Sequence, residues 1–181
     1  MRRTVLLLIV AVGLAAPSPA AAARSYTIDV ARFSVSSIGD FRPSSDPHIG
    51  AAERVFGRAS SRRKTSGLSC RVRWKRLRLD IVFVSFGDPG ASPCHDEVGR
   101  AQTFKARGTR FRTWHGLRVG QPEASVTRRH PAAEFRAGAW WLKTAISPFG
   151  DGETEFAVVD AKIGRDDRVR ALRGWIGAAG D

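Results

Sequence analysis

Across residues 68–83 nearly every second side chain is apolar, and that period of two leaves little room for anything but paired β-strands. Leu68, Cys70, Val72 and Trp74 alternate with Ser69, Arg71, Arg73 and Lys75. Leu77, Leu79, Ile81 and Phe83 continue the alternation against Arg78 and Asp80. Residues 81–86 become apolar on both sides, as expected for a centrally placed strand. One face of the hairpin is therefore apolar and the other cationic.

The same period recurs elsewhere. Tyr26, Ile28 and Val30 predict an opening strand, residues 102–105 and 110–114 a strand pair joined across Arg107-Gly108-Thr109, and residues 140–145, 156–163 and 169–176 three more strands. Two short helices are expected between them. In the first, Asp46 is the N-cap, Pro47 the first helical residue and Gly57 the stop; the second starts at Pro122 and ends before Pro131. Each half then reads as a short helix followed by a meander. The expectation is an α+β fold, a twisted antiparallel sheet with short helices on one face, in a single domain over residues 24–181. The repeated order suggests tandem halves, 24–114 and 115–181.

Residues 1–23 set the compartment. Arg2 and Arg3 precede an apolar run over residues 4–16, followed by small residues ending in Ala20-x-Ala22 or Ala21-x-Ala23, the pattern of a secretory signal peptide. The run is short of the roughly 20 residues that span a bilayer. Secretion or residence in the cell envelope is expected, and in that oxidising setting Cys70 and Cys94 are expected to form a disulfide. Closing a loop of that size contributes roughly 3 kcal/mol in the chain-entropy account.

The formal charge is +13. Such a balance points to an acidic partner, although the dominance of arginine over lysine, with abundant Ala and Gly, is also what a GC-rich bacterial genome writes. Export argues against nucleic acid. The candidate cationic stripe is Arg71, Arg73 and Lys75 on one strand face, extended by Arg76 and Arg78 across the hairpin. Trp140 and Trp141 are adjacent, so in a strand one faces the core and the other faces out, where it could anchor a partner or stack on a sugar.

Chemistry is sparse. There is no Gly-x-Ser-x-Gly elbow, no phosphate-binding glycine loop and no His-Glu-x-x-His, and nothing calls for a cofactor or a metal. His48, His95, His115 and His130 read as isolated surface or capping residues. His95-Asp96-Glu97 is the one dense polar cluster, and Asp151-Gly152-Glu153-Thr154-Glu155 lacks the alternating ligands of a calcium loop.

The segment Gly116-Leu117-Arg118-Val119-Gly120-Gln121-Pro122, with Val126 and Pro131 beyond it, resembles the helix-leading motif of the exported repeats in beta-lactamase inhibitory protein and in small lipoproteins of outer-membrane assembly. The resemblance implies a helix-loop-helix on a short antiparallel sheet and carries over no site residue. The chain departs from it in lacking a lipidation cysteine and in having cysteines for only one disulfide. Read physically, Gly116 and Gly120 supply positive-φ geometry while Leu117 and Val119 point inward. The expected function is a non-catalytic binding module that engages a protein or an anionic envelope polymer through an exposed sheet face. The alternative is a small secreted hydrolase built on His95-Asp96-Glu97.

Overall fold

A computed structural model of the protein describes residues 24–86, 90–147 and 154–177. The expected signal segment, Asp88-Pro89, Phe149 and the Asp151-Gly152-Glu153 portion of the calcium-like loop lie outside them. In chain order the elements are β1 (Tyr26–Val30), β2 (Val35–Ile38), α1 (Ile49–Phe56), β3 (Ser61–Lys64), β4 (Ser69–Trp74), β5 (Leu79–Val84), β6 (Arg100–Ala106), β7 (Phe111–Thr113), α2 (Ala124–Arg129), β8 (Glu134–Arg136), β9 (Ala139–Ile146), β10 (Glu155–Ile163) and β11 (Val169–Trp175).

The architecture is mainly β, which corrects the α+β expectation: the helices have only 8 and 6 residues. An eight-stranded antiparallel sheet runs in the order β3-β4-β5-β6-β11-β10-β9-β8. Each half of the chain supplies one four-strand meander, and the last strands of the two, β6 and β11, pair with each other to form the seam.

Alternation decides which face is buried. Trp74, Leu79, Ala106, Leu172 and Ala161 stand opposite one another across five strands, and all are buried. Next to that row Ile81, Phe104 and Gly174 align, and Gly174 is required there. A Cβ on it would lie 2.6 Å from the Phe104 ring and 2.7 Å from the Val158 carbonyl oxygen. The inner face is covered by α1 and by a second sheet, β2-β1-β7. Phe56 of α1 is the wedge, its ring 5.5 Å from Trp74, 5.4 Å from Tyr26 and 5.9 Å from Phe41.

Three local expectations are corrected. Residues 102–105 and 110–114 do not pair; β6 joins the large sheet, whereas β7 runs parallel to β1 in the small one. The physical reason is Phe111, which is buried by stacking 5.2 Å from Tyr26. At Gly108 the turn presses so closely on the Leu77 carbonyl that no side chain fits, and the chain leaves the large sheet there.

Both helices also begin later than their prolines suggest. α1 starts at Ile49 with His48 as the N-cap residue, and the Asp46 carboxylate accepts the His48 N–H at 3.4 Å. α2 starts at Ala124, because Pro122 instead bridges to Arg168. Gly57 does end α1, its N–H reaching Glu53 O at 2.9 Å. Gly116 and Gly120 have φ of 79° and 92°, and Leu117 is fully buried.

Candidate functional site

Because directly opposed residues in an antiparallel sheet share a face, the register specifies the outer surface. One row crosses all eight strands: Ser61, Arg73, Asp80, Lys105, Arg173, Asp160, Trp141 and Glu134. Beside it runs a second row, Arg63, Arg71, Val82, Thr103 and Trp175. Between these rows lies a groove of about 460 Å³, centred on the β6–β11 seam.

Two carboxylates organise the groove. Asp80 accepts from Arg73 Nε at 2.7 Å and from Arg107, and Asp160 accepts from Arg173 Nε at 2.7 Å and Nη2 at 3.0 Å. Their side chains are only 10% and 16% exposed, so these pairs are partly desolvated and hold the guanidinium groups in place. The hydrogen bond to Asp80 raises the Arg73 pKa above its ordinary value.

Other groups lining the groove have no such partner. Among the described residues Arg71, Lys105, the Thr103 hydroxyl and the Trp175 indole N–H make no hydrogen bond or ion pair within the protein. Trp74 and Trp140 differ: their indole N–H groups donate to Gly57 O and Glu123 Oε1, each at 2.6 Å. Five cations (Arg71, Arg73, Lys105, Arg107 and Arg173) face two carboxylates, giving a cationic groove with spare donors.

The stripe read from the sequence maps onto this surface in part. Arg71 and Arg73 line the groove. Lys75 and Arg78 line a neighbouring cavity of about 200 Å³ with Arg73, Asp80 and Arg107, and Arg76 is exposed at the hairpin turn outside both. The two adjacent tryptophans do split between faces. Trp140 packs against the core and edge-on to Phe135, whereas Trp141 lies on the outer face with the Arg136 guanidinium 5.5 Å over its ring. Arg136 also pairs with Glu134 and Glu155, and its hydrogen bond holds Glu155 below the usual carboxylate range.

Sequence reasoning missed Thr103, Lys105, Arg107, Arg173 and both aspartates. The alternation of Thr103 and Lys105 with buried Phe104 marks a shared face. Nothing local says that this face meets Arg173.

His95, Asp96 and Glu97 are exposed on a turn. Asp96 is engaged by Arg62, which also holds Glu53 of α1 at 2.9 Å. Burial alone would lower the Arg62 pKa, but its hydrogen bonds to Glu53 and Asp96 outweigh that and raise it. The loop is fastened to β4 by the Cys70–Cys94 disulfide and to α1 by Gly50 N–H donating to Asp96 O at 3.3 Å.

His130, read as a surface or capping residue, is the C-cap residue of α2 but is buried, at 3% exposed. Its ring lies 4.8 Å from Trp114 and 5.1 Å from His115. Leu117 N–H donates to Thr113 Oγ1 at 3.1 Å, and the Thr113 hydroxyl shares a hydrogen bond with His130 Nε2 at 2.8 Å. Burial, and then His115, push the His130 pKa down to about 4.

No protein-family model, curated protein or solved structure matches the chain. A functional reading therefore rests on the groove's own chemistry. Among the described residues no helix is long and apolar enough to cross a membrane, and the disulfide fits an oxidising compartment.

Proposed function

We propose that the chain is an exported, non-catalytic binding module of the cell envelope or exterior, which engages an anionic partner on the outer face of its large sheet. The observation that carries this reading is the pairing pattern in the groove. Asp80 and Asp160 fix Arg73, Arg107 and Arg173, and Arg71 and Lys105 are left with no acidic partner among the described residues. A codon-driven excess of arginine would scatter charge. It has no reason to gather five cations around two carboxylates on one open face.

The test is retention of the oxidised protein on purified cell-envelope fractions across a salt series. Retention should fall steeply as salt screens the contacts, and Arg71→Ser/Lys105→Ser should elute at lower salt with an unchanged melting temperature. Retention that ignores both salt and the substitutions would exclude this role for the face. Export is checked separately, by recovering from the culture medium or envelope a protein that begins near residue 24.

A further inference from the structure

The groove contains more than charge. In the row beside the charged one, Thr103 stands directly opposite Trp175, and Val82 separates Thr103 from Arg71. The Trp175 indole is seated on Gly177, where an added Cβ would lie 3.2 Å from the ring. A half-buried aromatic surface is thus held in the groove wall, with its N–H unpartnered among the described residues.

The two carboxylates add acceptors. A carboxylate has about four acceptor positions, and Asp80 and Asp160 each receive two hydrogen bonds from arginine. The remaining positions suit ligand hydroxyl groups. A bare polyphosphate or a run of glutamates brings negative charge but no hydroxyl donors for these aspartates and no ring for the indole.

A ligand that uses all of these groups combines a ring with an apolar face, several hydroxyls and a carboxylate. Resting on the binding-module reading above, we infer that the groove takes an acidic saccharide, a sugar acid in a short chain. One ring stacks on Trp175, its hydroxyls bond to Thr103, the indole N–H and the aspartates, and its carboxylate bonds to Arg71 or Lys105. The volume of about 460 Å³ lies within the range of small-molecule clefts.

Calorimetry with the oxidised protein tests this using four probes: a galacturonate tetramer, its uncharged galactose counterpart, a tetraglutamate peptide and tripolyphosphate. The uronate should bind at least about tenfold more tightly than the other three, equivalent to about 1.4 kcal/mol. Trp175→Ala should weaken it about tenfold without changing the salt dependence, and Lys105→Ser should weaken it while flattening that dependence. Thr103→Val, nearly isosteric and safe for the fold, should weaken uronate binding severalfold and leave tripolyphosphate unaffected. Equal binding of the three anions with no response to Trp175→Ala or Thr103→Val would overturn the saccharide assignment and leave the anionic-partner reading intact. Failure of all four probes would likewise overturn the assignment, whereas the anionic-partner reading falls only with salt-insensitive envelope retention.

Discussion

Arg173 and Asp160 face each other across the β10–β11 pair in a fork, with Nε 2.7 Å from Oδ1 and Nη2 3.0 Å from Oδ2. Lys105 stands directly opposite Arg173 on β6, so the fork sets one cation against another at the seam of the two meanders. Asp160 is what makes that juxtaposition tolerable. Arg173→Gln leaves the Asp160 carboxylate, 16% exposed, without its partner. The expected loss is about 1–2 kcal/mol in urea denaturation, part of which Asp160→Asn in the same chain should restore.

Gly174→Ala tests the seam from its inner side. The new methyl would meet the Phe104 ring at 2.6 Å and the Val158 carbonyl oxygen at 2.7 Å, and the second contact is backbone. Overpacking of this kind costs about 1–3 kcal/mol. The stability loss should appear in urea denaturation. A fully stable Gly174→Ala protein would contradict the close β6–β11 packing described above.

Reducing the Cys70–Cys94 bond releases the loop that packs on α1. The expected cost is about 3 kcal/mol, which for a chain of this length lowers Tm by roughly 6–12 °C. Scanning calorimetry with and without reductant measures it.

His130 makes stability depend on pH. Its pKa is about 4 in the folded protein and near the ordinary 6.5 when unfolded. Between those values the unfolded chain binds a proton that the folded one excludes, so stability falls as pH drops from about 6.5 towards 4 and is fully present above that window. The loss is on the order of 3 kcal/mol. His130→Gln should flatten the slope in urea titrations at stepped pH.

Elements governed by nearest neighbours were legible. The β4–β5 hairpin follows from alternation at residues 69–84, the division of Trp140 and Trp141 between faces follows from the strand pleat, and Cys70 with Cys94 follows from their number. Helix starts were misread because proline is equally at home in a turn or a β-bridge, as Pro122 shows. His130 does cap α2, but its burial was not legible because it depends on Thr113, Trp114 and His115, which only the fold brings around it.

The amino-acid sequence by itself determined which side chains share a strand face, since alternation is a property of the local backbone. It determined the cationic character of the hairpin's outer side for the same reason. Tertiary structure alone decided which strands became neighbours. β6 pairs with β11 because that register buries Phe104, Ala106 and Leu172 together, and β7 leaves for β1 because Phe111 stacks on Tyr26. The groove is a consequence of that choice: burying one side of the seam places Thr103, Lys105, Arg173 and Trp175 together on the other.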